Sequence, residues 1–94
     1  MGRKSKADQA IESAEDGEDQ EGKFWVIYDF SKNRNPSRFY MNLGALFERY
    51  GGSFVQLSVV EMKSLRGAKA VVALARSYGA KVLMRKLDPE LYSV

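Results

Sequence analysis

One run of seven residues constrains the fold of this 94-residue chain most: Phe24-Trp25-Val26-Ile27-Tyr28-Asp29-Phe30. Until Asp29 the run is apolar on both faces of an extended chain, and it is rich in aromatic and β-branched residues. Strands with this pattern lie inside a sheet rather than at its rim. The run therefore predicts a buried central strand, which helices cover on both faces, or cover on one face while a second subunit covers the other.

Two amphipathic helices are predicted after this strand. Asn35-Pro36 supplies an N-cap and a proline suited to the first helical position, and Gly51-Gly52 ends the first helix. Ser64 and Gly79 delimit the second helix in the same way. Each segment has an apolar stripe of helical period, made by Phe39, Leu43, Leu46, Phe47 and Tyr50 in the first and by Ala68, Val71, Val72, Ala75 and Tyr78 in the second.

The remaining segments are extended. In residues 53–62 the apolar side chains change face near Ser58, which indicates a bulge, a sharp bend or two short strands. Residues 81–87 form a last strand whose lysines and arginine are typical of a sheet edge. If the middle segment makes two strands, the order is that of an α+β ferredoxin-like β-α-β-β-α-β sandwich. If it makes one, a small parallel β-α-β-α-β sheet of the α/β class is the alternative.

Charge divides the chain into two parts. Residues 1–22 hold three basic and seven acidic residues, a net charge of −4, and residues 23–94 hold twelve basic and five acidic residues, a net charge of +7. We expect 1–22 to be a disordered acidic tail, because Ile11 is its one large aliphatic residue after Met1. The tail either keeps the protein in solution or folds back on the basic face and competes with nucleic acid. Residues 23–94 are expected to form a single domain.

The chain contains no cysteine and no histidine, which excludes disulfides, the usual zinc sites and His-based acid or base catalysis. It also has no apolar run resembling a secretory signal or a membrane span, so we expect a cytoplasmic protein. Chemistry would fall to carboxylates, and Asp29 stands out because it ends a buried strand. It either holds a metal there or caps the following loop as an Asx turn.

Basic residues are the second candidate site. They follow the first strand, lie at the start of both helices and recur on the last strand: Lys32, Arg34, Arg38, Lys63, Arg66, Lys69, Lys81, Arg85 and Lys86. Lysine and arginine near helix N-termini favour phosphate binding, so we expect contact with DNA or RNA. The aromatic residues have core spacings, and no exposed platform for stacking bases is expected.

Three short motifs stand out: Tyr28-Asp29-Phe30-Ser31 at the end of the first strand, Tyr50-Gly51 at the helix stop and Val55-Gln56-Leu57-Ser58-Val59-Val60-Glu61 in the middle segment. Together they resemble the small CRISPR-associated adaptation protein and the related virulence-associated protein D family. The resemblance spans residues 23–87. It implies a ferredoxin-like homodimer in which Asp29 of both subunits faces a shared cleft.

Some members of this family are nucleases. For this chain the resemblance then implies that Asp29 holds a divalent metal such as Mg²⁺, while Ser31 and Arg38 position a phosphodiester. Other members clamp DNA without cutting it. In this chain Lys32-Asn33 replaces the acidic residues that often follow the Asp-x-Ser motif, which favours binding over cutting. The function expected from sequence is thus nucleic-acid binding of the CRISPR-adaptation type. Metal-dependent endonuclease activity is a further hypothesis for the same protein. The alternative is a non-catalytic nucleic-acid-binding or protein-interaction module of the same fold.

Overall fold

A computed structural model describes residues 4–30 and 36–87 of the chain. They form three helices and four strands in the order α1 (Lys6–Glu15), β1 (Glu21–Asp29), α2 (Ser37–Tyr50), β2 (Gly52–Gln56), β3 (Val59–Ser64), α3 (Leu65–Ser77) and β4 (Lys81–Lys86). No helix within these residues is long and apolar enough to cross a membrane.

The four strands make one open antiparallel sheet in the order β2-β3-β1-β4. The middle segment therefore forms two strands, and the alternative of a parallel sheet is wrong. The expected bend near Ser58 is the turn between them. Tyr28 fixes this turn to the end of β1, since its hydroxyl donates to the Leu57 carbonyl at 2.8 Å and its backbone N–H donates to the Ser58 carbonyl at 3.0 Å. The protein is a small α+β fold with β4 at a sheet edge, as predicted.

The central strand β1 is covered on one face. Phe24, Val26 and Tyr28 are buried under the helices. Trp25 and Ile27 point to the opposite face, where both are partly exposed. No helix among residues 4–30 and 36–87 covers that face, so these residues do not supply the second helical layer, and cover by a second subunit stays a prediction.

The helical layer follows the apolar stripes expected from sequence. Phe39, Leu43 and Leu46 of α2 are fully buried, and α3 buries Ala68, Val71 and Ala75. The start of α3 is capped as predicted, because the Ser64 hydroxyl accepts from the Gly67 N–H at 3.1 Å. Gly51 ends α2 with a positive φ of 79°, a conformation that favours glycine. The sequence predicts Asn35 as the N-cap of α2 and Pro36 as its first helical residue. In the structure Pro36 is the N-cap and the helix begins at Ser37, and Asn35 lies outside the described residues.

Helix α1 lies within residues 1–22, for which the sequence predicts a disordered tail, and residues 1–3 of that segment lie outside the described residues. Its start has a capping box, in which the Ser5 hydroxyl accepts from the Asp8 N–H at 3.1 Å. Its inner face consists of three buried alanines, Ala7, Ala10 and Ala14, packed mainly on α3. The lack of large aliphatic residues does not predict disorder here, because small side chains let α1 approach its neighbours closely. The helix also gains polar contacts to both α2 and α3.

A close approach between the end of α2 and the start of α3 depends on Gly67. A Cβ atom at this position would lie 2.8 Å from the Tyr50 Cβ, which cannot move without its backbone. Gly44 in α2 is the opposite case, since a Cβ atom there meets nothing within 4 Å.

We therefore predict opposite effects for the same substitution at two helical glycines. Gly67→Ala destabilises the fold by about 1–3 kcal/mol through overpacking, even though alanine favours helix. Gly44→Ala stabilises it by about 0.5–1 kcal/mol, because the gain in helix propensity meets no clash. Urea denaturation measures both free energies, and equal effects of the two variants would contradict the close approach.

Candidate functional site

The uncovered side of the sheet, here called the open face, carries side chains from three adjacent strands in ordered rows. In the first row Trp25 of β1 lies between Glu61 of β3 and Arg85 of β4. In the second row Ile27 lies between Val59 and Leu83, and the Leu83 side chain is 58% exposed. In the third row Asp29 lies opposite Lys81. The open face thus combines an aromatic ring, an apolar strip and charged residues.

Trp25 is the residue that the sequence assigned to the wrong place. The apolar run predicted it in the core, whereas the structure leaves it partly exposed on the open face. Its indole Nε1–H donates to Glu61 Oε1 at 3.0 Å, so the ring is held at one edge. The other aromatics assigned to the core do pack there, with Phe24, Tyr28 and Phe39 buried. The signal that Trp25 faces outward is the polar residue Glu61 directly across from it on β3. This signal becomes visible only once the register between β1 and β3 is known.

Asp29 lies at the end of β1, as predicted, and it is exposed. It borders a shallow pocket of about 220 Å³ between β1 and β4, whose lining also includes Ile27, Lys81 and Leu83. Its cross-strand neighbour is a lysine rather than a second acid, and no group of three possible metal-ligating side chains occurs in residues 4–30 and 36–87. Mg²⁺ binds several oxygens, so one chain does not provide a fitting donor set within the described residues. Ser31, the other predicted catalytic residue, lies outside them.

The predicted basic surface does not form one patch. Lys63 lies on the open face of β3, whereas Arg66 and Lys69 lie in the helical layer on α3. Arg38 is exposed in the first turn of α2. Lys32 and Arg34 fall outside the described residues. Lys81 and Arg85 join Lys63 on the open face because alternate residues of a strand share a side.

Arg66 is already bound by the chain's own acidic segment. Its guanidinium donates to Glu15 Oε2 at 3.3 Å and, through Nε and Nη2, to the Gly17 carbonyl at 3.2 and 3.0 Å. Its backbone N–H donates to Asp19 Oδ1 at 3.2 Å. The acidic segment therefore does fold back onto a basic residue, and it fills the position at the start of α3 where the sequence predicted phosphate.

Glu15 is the centre of this contact. Besides Arg66, it accepts from Arg49 Nη2 at 2.9 Å and from the Tyr50 hydroxyl at 3.0 Å. The hydrogen bonds from Arg49 and then Tyr50 lower the pKa of Glu15 below its ordinary value, and the nearby positive charges of Arg49 and Arg66 add to the effect. In return, Glu15 raises the pKa of Arg49. One carboxylate thus joins α1 to the end of α2 and to the start of α3.

No family model matches the chain, and no curated protein and no solved structure matches it either.

The lowered pKa predicts how stability depends on pH. A carboxyl whose pKa is lower in the folded chain stabilises folding fully above its unfolded value, and this contribution is lost as the pH falls through the folded value. Glu15→Gln is therefore expected to lower Tm at neutral pH, and the difference from the wild type should shrink below the ordinary pKa of 4.5.

Glu18→Gln is the control for this measurement, because Glu18 is exposed and makes no ion pair with any residue that the structure describes. It removes the same charge from the same segment. Thermal unfolding followed by circular dichroism over the acid range compares the variants. A pH-dependent loss of equal size in both would show that the contact to Arg49, Tyr50 and Arg66 contributes nothing.

Proposed function

We propose that this protein binds single-stranded nucleic acid on the open face of its sheet. The observation that carries the proposal is the position of Trp25, a partly exposed residue between two charged neighbours on a sheet face that none of the described elements covers. An aromatic side chain on such a face stacks an unpaired base, and this contact is sequence-tolerant because every base has a π-face. Paired bases in a duplex do not present their faces in this way, so single strands are the favoured ligand.

Charge supports the same conclusion. On the open face Arg85 lies beside Trp25, Lys63 lies on β3 and Lys81 lies two rows away, against the two acids Glu61 and Asp29. Phosphates of a strand crossing the sheet would meet these cations while a base lies on the ring. Arg66 and Arg49 of the helical layer are weaker candidates for phosphate contact, since both are paired with Glu15.

The topology is in keeping with this proposal. The connectivity of β1 to β4 and the strand order β2-β3-β1-β4 are compatible with a ferredoxin-like fold, which we infer here with α1 as an addition to it. Four-stranded sheets of this kind bind single-stranded RNA through aromatic residues on the sheet face. Kinship with the CRISPR-associated adaptation proteins belongs to the same proposal and is supported by the short motifs over residues 23–87.

Oligonucleotide binding tests the proposal, and Trp25, the chain's single tryptophan, reports it by fluorescence. We expect Trp25→Ala to weaken binding by about 5- to 150-fold, the loss of one base stack, and Trp25→Phe to retain most of the affinity. Anisotropy of a labelled strand measures the variants, and circular dichroism verifies that each is folded. Unchanged affinity in a folded Trp25→Ala variant would contradict the proposal.

A pair of arginine variants locates the binding surface. Arg85→Ala on the open face should lower affinity and reduce the slope of log K against log salt by about 0.7 for a single strand. Arg76→Ala, an equally exposed arginine on α3, should leave both unchanged. An equal loss in the two variants would place the ligand elsewhere than on the open face.

A second candidate is metal-dependent cleavage of nucleic acid by a homodimer, as the resemblance implies. It is favoured by the apolar row of Val59, Ile27 and exposed Leu83, which a second copy would cover, and by Asp29 at the end of the same face. Two open faces packed together would pair the Asp29 carboxylates and supply the oxygens that one chain lacks. No catalytic step is assigned to the single chain.

The two candidates give different results with magnesium. We expect a bound oligonucleotide to stay intact, and Asp29→Asn to bind it at least as tightly because an acid has been removed from the face. Gel electrophoresis after incubation with Mg²⁺ and sedimentation of the free protein decide the matter. Cleavage that is lost in Asp29→Asn, together with a dimer in sedimentation, would establish the second candidate instead.

A further inference from the structure

Glu61, like Asp29, is an acid of the open face that phosphate binding does not explain, and it is the one that lies next to Trp25. It lies beside Trp25, with Ser53 of β2 on its other side, and it makes no ion pair with any residue in the described part of the chain. A carboxylate among cations repels phosphate and lowers affinity for any polyanion. Its position therefore calls for a role other than contact with the backbone of a nucleic acid.

The geometry of Glu61 leaves one oxygen available. Oε1 accepts the Trp25 indole N–H at 3.0 Å, which holds the carboxylate at the rim of the ring. An ionised carboxylate is an acceptor with two oxygens, and since no hydrogen bond reaches Oε2 from residues 4–30 or 36–87, this oxygen can accept from a group that arrives beside the ring. A base stacked on Trp25 would bring its hydrogen-bonding edge to this oxygen.

Resting on the proposed function, we infer that Glu61 selects the base stacked on Trp25, favouring bases with an exocyclic amino group over thymine and uracil. Cytosine, adenine and guanine each carry an amino group that donates to a carboxylate. Thymine and uracil instead present two carbonyl oxygens beside their one ring N–H, and a carbonyl facing Oε2 is repelled. The occupant of the open face is thus a single strand rich in amino-bearing bases.

Two pyrimidine homopolymers test the selection, since they differ at the position that Glu61 would read. The probes are oligo(dC) and oligo(dT) of about ten nucleotides, a length within the usual site size. With wild-type protein at neutral pH, quenching of Trp25 fluorescence should show oligo(dC) bound about tenfold more tightly than oligo(dT).

Glu61→Gln separates base reading from simple support of the ring. The glutamine oxygen still accepts the indole N–H, so a purely supporting residue would be replaced without effect on selectivity. Its amide nitrogen then occupies the place of Oε2 and turns an acceptor into a donor, which suits the thymine O4. The preference for oligo(dC) should accordingly disappear or reverse. Glu48→Gln, the same substitution at an exposed position of α2, should keep it.

Each outcome decides the inference. Equal binding of both oligonucleotides by the wild type, or an unchanged preference in Glu61→Gln, overturns the selection while the proposed function stands. Binding of neither oligonucleotide overturns the proposed function and the inference with it. A concentration-dependent shift of Trp25 fluorescence without nucleic acid, accompanied by a dimer in sedimentation, would assign the open face to a second copy of the chain and also overturn the inference.

Discussion

The rest of the structure depends on the burial of one side of β1 beneath the helices. Phe24, Val26 and Tyr28 take the helical side, and because side chains alternate along a strand, Trp25, Ile27 and Asp29 must take the other. β1 is also an inner strand, paired with β3 and β4 at once. Its register therefore fixes which residues of those strands stand beside Trp25, and the composition of the open face follows from this single choice of side.

Helix α1 adds a second constraint, and it acts on the helical layer. Its alanines lie against that layer, and Glu15 bonds to Arg49, Tyr50 and Arg66 at the ends of two helices. The same contacts remove these arginines from the pool of cations open to a polyanion. Within the helical layer the acidic segment thus pairs Arg49 and Arg66, while Arg38, Lys69 and Arg76 stay exposed there.

The open face differs from a surface built only to attract phosphate. A uniformly basic sheet would bind any polyanion, whereas here Glu61 and Arg85 flank Trp25, and Asp29 lies opposite Lys81 two rows away on the same face. Acids lower affinity and add selectivity, because they accept hydrogen bonds only from ligands that offer donors.

The sequence by itself determined the helices α2 and α3, the Ser64 cap, the glycine stops and the strand segments, because such signals act over a few residues. It also identified Asp29 at the end of β1 and the basic character of residues 23–94. Only the tertiary structure decided that α1 is ordered, that Arg66 is occupied and that Trp25 faces outward beside Glu61. The physical reason is that each of these facts depends on contacts between segments far apart in the chain, which no local pattern encodes.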